Sequence, residues 1–252
     1  MYRVVIRFYE ELNDLISKEK RKSDIEFSFS GRRSIKDLIE SFGVPHVEVD
    51  LILVNQASVD FSYIVRDGDR ISVYPVFETF PIDGVTRLRA SPLRNLRFVF
   101  DVHLRKLARR MRLLGFDVYY EDGIEDSELV RISYQEKRIL LTRDRQLLMR
   151  RSVSRGLYIR NTDPNRQMLE IVNRLHLRSL CKPFTRCIEC NGEIRDLLLD
   201  GDDFKERMHR IPEGVLLWCI EFSQCASCDR IYWKGSHYEK LRAIVDSIIN
   251  AE

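Results

Sequence analysis

The hydrophobic pattern of the chain changes character twice. Over the first eighty residues, short stretches alternate apolar with polar side chains, and residues 4–9 and 25–29 read as strands on either side of a charged turn through 18–23. Ser34 is placed to cap a helix over 35–42, in which Ile35, Leu38, Ile39 and Phe42 recur at helical spacing and Gly43 stops the run. A third strand follows at 51–55. The turn Asp67-Gly68-Asp69 then leads into a last strand over 70–77, carrying Ile71, Val73 and Tyr74. Pro81, Gly84, Ser91 and Pro92 mark a linker at 81–94.

Beyond it, strands and helices alternate. Residues 96–100 are a short continuous apolar run of the kind buried in a parallel sheet, ending at Asp101. A helix over 103–114 has Leu104, Leu107, Ala108, Met111 and Leu114 as its apolar stripe, with Arg105, Arg109 and Arg112 on the other side and Gly115 closing it. Strands at 116–120, 138–142 and 156–160 alternate with helices at 127–135, at 146–151 and from Pro164 to about 175, the last capped by Asp163. This repetition implies a parallel sheet with helices on both faces, spanning 95–180.

The second change is chemical. All six cysteines fall after residue 180. Cys187 and Cys190 form one C-x-x-C, Cys225 and Cys228 another, the spacing that supplies four thiolates to tetrahedral Zn²⁺. A disulfide pair is the alternative, and it needs an oxidising compartment. His237 is a candidate replacement for one thiolate, and Cys181 and Cys219 are left over as buried free thiols. Structural zinc would hold the segment 181–252 together.

Composition narrows the classes. With 44% apolar and 32% charged residues, the chain is a folded, highly charged protein and not a disordered one. No apolar run approaches the ~18 residues of a membrane helix, and no signal-peptide core precedes Glu10 and Glu11, so a cytoplasmic location without membrane partners is expected. The net charge of +3 conceals a partition. Residues 91–180 carry 19 Lys and Arg against 11 Asp and Glu, and 17 of the 19 are Arg, whereas both flanking segments are slightly acidic. Such an Arg-rich block suits a polyanionic partner, or else a solvated surface.

In an open parallel sheet, ligands bind beyond the carboxyl ends of the strands. Asp101 and Asp144 each follow a buried strand, and Asp126 opens the second helix, so all three carboxylates are expected at one edge. Oxygen-only ligands there suit Mg²⁺ or Mn²⁺ and the hydrolysis of phosphodiesters. Each aspartate has a plainer role available as well: Asp101 and Asp126 as helix caps, Asp144 as a turn residue in a surface ion pair with Arg143 or Arg145.

The β-β-α-β-β order at 1–80 fits a β-grasp, or ubiquitin-like, fold. Phe8-Tyr9-Glu10-Glu11-Leu12, Leu53-Val54-Asn55 and Asp67-Gly68-Asp69-Arg70-Ile71-Ser72-Val73-Tyr74-Pro75 resemble its sulfur-carrier branch. Those carriers act through a free terminal Gly-Gly, which 76–80 lacks, so a docking or packing module is expected instead. Further along, Phe98-Val99-Phe100-Asp101, Leu107-Ala108-Arg109, Arg112-Leu113-Leu114-Gly115-Phe116-Asp117 and Leu141-Thr142-Arg143-Asp144-Arg145 look like the PIN-like RNase domain of the Mut-seven-C family. That family's zinc ribbon is matched by Cys187-x-x-Cys190 and Cys225-x-x-Cys228, and a β-grasp domain often precedes it. The chain departs from the family where Val102-His103 stands in place of an acidic or amide residue before Leu104.

The resemblance implies an α/β multidomain protein and a metal-dependent RNase. In that reading Asp101, Asp126 and Asp144 hold Mg²⁺ or Mn²⁺, while Arg105, Arg109, Arg112, Arg143 and Arg145 steer the RNA phosphates. Cys187, Cys190, Cys225 and Cys228 hold structural zinc, and the β-grasp domain is available to a protein partner. The competing expectation is a catalytically silent RNA-binding or adaptor protein whose carboxylates are structural.

Overall fold

The computed structural model describes residues 1–75 and 96–250, so the expected linker at 81–94 lies outside the described residues. The chain divides into two compact units, one drawn from Met1–Asn95 with Glu125–Tyr158, the other from Leu96–Ile124 with Ile159–Glu252.

The N-terminal domain is the expected β-grasp. β1 (Tyr2–Phe8), β2 (Ile25–Phe29), α1 (Ile35–Ser41), β3 (Val49–Val54), a two-residue β4 (Ala57–Ser58) and β5 (Arg70–Pro75) form a sheet in the order β2-β1-β5-β3-β4. β1 runs antiparallel to β2 and parallel to β5, which puts the first and last long strands side by side at its centre. Ser34 caps α1 as expected, its hydroxyl accepting from Asp37 N at 3.1 Å. Ile6, Phe8, Leu38, Ile39, Ile52 and Val73 are almost wholly buried between helix and sheet. The turn before β5 is held by Asp69, whose carboxylate accepts from Asn55 Nδ2, Tyr63 Oη and Arg66 N.

The central region is a parallel-sheet α/β domain. Its elements are β6 (Arg97–Phe100), α2 (Arg105–Leu113), β7 (Asp117–Tyr119), α3 (Asp126–Gln135), β8 (Ile139–Thr142), α4 (Arg145–Met149), β9 (Gly156–Tyr158) and α5 (Pro164–Arg174). β6 pairs in parallel with β7, and β8 with β9. The expected single helix from His103 is split into a 3-10 turn at Val102–Leu104 followed by α2. Asp163 caps α5, accepting from Asn165 N and Arg166 N at 3.0 Å each.

In the C-terminal third, β10 (Ile194–Leu197), α6 (Asp202–Arg207), α7 (Glu213–Leu216), β11 (Phe222–Cys225), β12 (Ile231–Trp233) and α8 (Ser236–Ile249) follow one another. The three strands make an antiparallel sheet with β11 in the middle. Its apolar core is small: Leu197, Phe204, Ile211, Cys219 and Phe222. Cys187, Cys225, Val245 and Ile248 bring the buried apolar side chains among the described residues of this third to nine, still few for some seventy residues, which is the condition under which a metal staple becomes important. Cys219 is buried as expected. Cys181 is only half-buried, because its thiol sits in a loop and donates to Leu177 O at 3.5 Å.

Candidate functional site

The four cysteines of the two C-x-x-C motifs converge, their sulfurs all lying within 4.8 Å of one another. Cys187 Sγ is 3.7 Å from Cys228 Sγ, and Cys190 Sγ is 3.4 Å from Cys225 Sγ. A disulfide would bring two sulfurs to ~2.05 Å, whereas metal–sulfur bonds of ~2.3 Å in a tetrahedron set the sulfurs ~3.8 Å apart. All six cysteines are free thiols. The quartet can therefore bind a metal ion, and His237 is not part of it.

The local sequence builds each knuckle in the same way. The residue after the second cysteine adopts a left-handed backbone, Asn191 at φ +70° and Asp229 at φ +56°, and these are the residue types that tolerate it best. Backbone N–H groups turn inward onto sulfur: Cys190 N onto Cys187, Gly192 N onto Cys190, Ser227 N onto Cys225. Gly192 is required, since a Cβ there would stand 2.5 Å from Ser227 Oγ and 2.8 Å from Cys225 Sγ.

Burial alone would raise the Cys187 thiol. The Tyr232 hydroxyl at 3.0 Å and the N–H groups of Cys190 and Glu189 outweigh it and bring Cys187 down to about 7. Burial, with the other thiols close by, pushes Cys190 up to about 12. Several thiolates so close repel one another, and a bound cation is what lets all of them lose their protons.

The first knuckle is fastened to α2 and β7. Arg112, expected on a phosphate-facing side of its helix, is 3% exposed. Its Nε and Nη2 donate to Val118 O at 3.1 and 3.0 Å, and its Nη1 donates to Glu189 O at 2.5 Å and Ile188 O at 3.3 Å. Arg112 is thus a structural clamp, which corrects its expected role in steering RNA. The helical period does place Arg105, Arg109 and Arg112 on one side of α2, but the C-terminal third folds back and covers part of that side. Arg109 is ion-paired with Glu189 of the same knuckle. Asn191 completes the join, accepting from Val118 N and donating to Asp117 Oδ1, both at 2.9 Å. Of that row, Arg105 pairs with Asp122 at 3.3 Å, both side chains exposed.

The other two arginines lie in the other unit. Arg143 is exposed. Arg145 is engaged inside the chain: Nη1 donates to Leu15 O at 2.7 Å, and the guanidinium stacks 4.9 Å above the centre of the Tyr158 ring. Its expected contact with RNA thus competes with a contact already made.

Asp101 belongs to one unit, Asp126 and Asp144 to the other. Asp101, 4% exposed, caps the 3-10 turn after β6; its Oδ1 accepts from His103 N at 3.3 Å and faces His103 Nδ1 at 3.1 Å. Asp126, in the first turn of α3, is ion-paired with Arg150 Nη2 at 2.7 Å. Asp144 caps α4, accepting from Gln146 N at 2.8 Å while its own N–H donates to Thr142 Oγ1 at 2.9 Å. Two residues near Asp101 escaped the sequence reading. Tyr120 donates to Asp122 at 2.6 Å, and burial followed by that bond raises the Tyr120 hydroxyl to about 12. Their signal was positional, since both follow β7, whose parallel partner β6 ends at Phe100, just before Asp101.

Among the described residues, no helix is long and apolar enough to cross a membrane. The family model for the Mut7-C ubiquitin domain matches residues 1–81, and the model for the Mut7-C RNAse domain matches residues 96–245. No curated protein and no solved structure matches the chain. With its β-grasp in front, its parallel-strand centre and its cysteine quartet behind, the chain belongs to the Mut7-C RNAse domain family.

Proposed function

We propose that the chain is a metal-dependent ribonuclease acting on RNA phosphodiesters, with a structural zinc ion on Cys187, Cys190, Cys225 and Cys228. The observation that carries the reading is the match to the RNAse domain, which points to nuclease activity, over 96–245. Its support from chemistry is that Asp101 directly follows β6 and Asp144 comes two residues after β8, at the carboxyl ends where parallel sheets present ligands. An oxygen-only donor set of Asp101, Asp126 and Asp144 suits Mg²⁺ or Mn²⁺. Such an ion, when bound, supplies an acidified water and neutralises charge on the scissile phosphate.

The chain's own residues must do the rest. Asp101 is desolvated and oriented by the His103 backbone. Asp126 must release Arg150, which then becomes available to phosphate. The exposed Arg105 and Arg143 are the expected cations with room for a polyanion. Four thiolates fill a tetrahedral shell and leave no open position, so the zinc is assigned to folding and not to hydrolysis. Reduced thiols also suit a cytoplasmic location.

The test incubates wild type and Asp144→Asn with mixed RNA and DNA, with Mn²⁺ and with chelator. Metal-dependent RNA cleavage by wild type and its loss in Asp144→Asn is the expected result. Equal rates in the two proteins would remove Asp144 from the site, and no cleavage of either nucleic acid by wild type would sink the nuclease reading. A second reading, a catalytically silent RNA-binding protein, is favoured by one observation: Asp126 already carries an ion-pair partner and Asp144 a capping role. It predicts RNA binding without turnover.

A further inference from the structure

The β-grasp domain grips the segment that carries Asp144 at three points, all inside one compact unit. Leu15 O accepts from Arg145 Nη1 at 2.7 Å. His46 Nε2 bonds to Val153 O at 3.0 Å, its ring held from the other side by Glu40 at 2.8 Å. The Glu48 carboxylate, wholly buried, accepts from Tyr158 N. Tyr158 in turn packs against the β-grasp core and offers its ring to the Arg145 guanidinium.

The gripped segment cannot order itself. α4 has five residues, far short of the ~12–15 at which an isolated helix becomes even marginal, so its direction is set by what it packs against. Asp144 is the N-cap of that helix, and Arg145 is its first residue. Whatever fixes Arg145 therefore fixes the turn on which the Asp144 carboxylate stands.

We propose that the β-grasp domain is a built-in positioning element for the candidate nuclease site, and that Arg145, clamped between Leu15 O and the Tyr158 ring, is the positioning residue that holds Asp144. The inference rests on the reading of Asp144 as a catalytic carboxylate. Arg145 then acts through Asp144 and not on RNA. Displacing a reacting group by about 1 Å can cost ~100-fold in rate, so loss of the clamp lowers turnover while leaving substrate affinity in place.

The full-length chain is tested as wild type, Arg145→Ala, Arg145→Lys, Tyr158→Leu and Asp144→Asn. Steady-state cleavage of single-stranded RNA with Mn²⁺ gives kcat and KM separately. Amide hydrogen exchange over residues 144–149 is followed in the protein without added Mn²⁺ or Mg²⁺. Arg145→Ala is expected to lower kcat by roughly 10- to 100-fold with KM within about 2-fold, and to raise exchange over 144–149 by about 10-fold or more. Arg145→Lys, which keeps one donor but not the planar stack, should recover part of both. Should Arg145→Ala fail to fold, Tyr158→Leu removes one jaw of the clamp and is read in the same way.

A raised KM with unchanged kcat and a flattened salt dependence would make Arg145 a phosphate contact and overturn the proposal. Unchanged kcat and exchange in a folded variant would overturn it too. If Asp144→Asn is inactive while Arg145→Ala cleaves like wild type, the positioning role alone fails. If Asp144→Asn keeps the wild-type rate, the nuclease assignment of Asp144 fails and takes this inference with it.

Discussion

Replacing Arg112 by Met keeps most of the stem and deletes the guanidinium. Three backbone carbonyls then lose their donors: Val118 O, which accepts twice in a buried position, and Ile188 O and Glu189 O on the first knuckle. Hydrogen bonds from a charged group contribute about 1.5–3 kcal/mol, and an acceptor left buried without a partner costs about 1–3 kcal/mol. Burial itself draws the guanidinium below its usual pKa, offset by the nearby thiols of Cys187 and Cys190 with Glu189 and Asp117. The cation is thus costly to bury, and that part is recovered when it goes. The net expectation is a loss of about 3–4 kcal/mol from the unit that contains α2 and the cysteine quartet. With a urea slope of about 2 kcal/mol/M, its unfolding midpoint falls by about 1.5–2 M. Urea melts of the zinc-loaded protein measure this, and the rate at which a chelator strips the metal should rise in parallel. Arg112→Lys should rescue little, because one ammonium cannot reach both Val118 O and Glu189 O. A midpoint within about 0.3 M of wild type, together with weakened RNA binding, would refute the clamp and restore the phosphate contact.

Cys187→Ser should release about one zinc per chain by elemental analysis and open the residues beyond Phe184 to protease, since the small core there cannot hold alone. Gly115→Ala should cost more than about 2 kcal/mol in the same urea melts, because Gly115 sits at φ +91° and its Cβ would lie 2.2 Å from Lys182 O, a backbone atom. The Tyr120 hydroxyl should ionise near 12, so the stability tied to its neutral form is intact below the ordinary tyrosine pKa of about 10 and is lost as pH rises through about 12. Phenolate absorbance compared with Tyr120→Phe reads this, and Asp122→Asn should bring the titration back toward 10. A Tyr120 titration midpoint at the ordinary value of about 10 in wild type would contradict the partly buried, bonded hydroxyl.

Period-two and period-3.6 patterns carry facing information only within one element, and that is where the sequence reading holds. Ile35, Leu38 and Ile39 are the buried side of α1, Leu107, Ala108 and Met111 that of α2, and Ser34 and Asp163 cap the helices they precede. The cysteine quartet was legible because a C-x-x-C closes on itself, so spacing alone nearly fixes its geometry. Arg112 and Arg145 misled because their partners, Glu189 and Leu15, are 77 and 130 residues away in sequence. A polar residue on the non-stripe side of a helix reads as solvated until a distant segment lands on it. Both arginines are also long enough to bury a stem and still reach a carbonyl, which composition cannot distinguish from a free cation.

The same long-range contacts explain why the sequence domains and the compact units do not coincide. Read by pattern, 95–180 is one nuclease module between two appendages. In the structure, its 96–124 stretch is tied to the knuckle through Arg112 and Asn191, and its 125–158 stretch is tied to the β-grasp through Arg145, His46 and Glu48. Each tie ends on backbone: Val118 and Glu189 in one unit, Leu15, Val153 and Tyr158 in the other. Backbone partners cannot be replaced by a side-chain substitution, and a cut at either pattern boundary leaves buried carbonyls and N–H groups without partners. The ends of the chain are therefore structural parts of the central domain, and the aspartates at the ends of its parallel strands stand on elements whose geometry the flanking modules set.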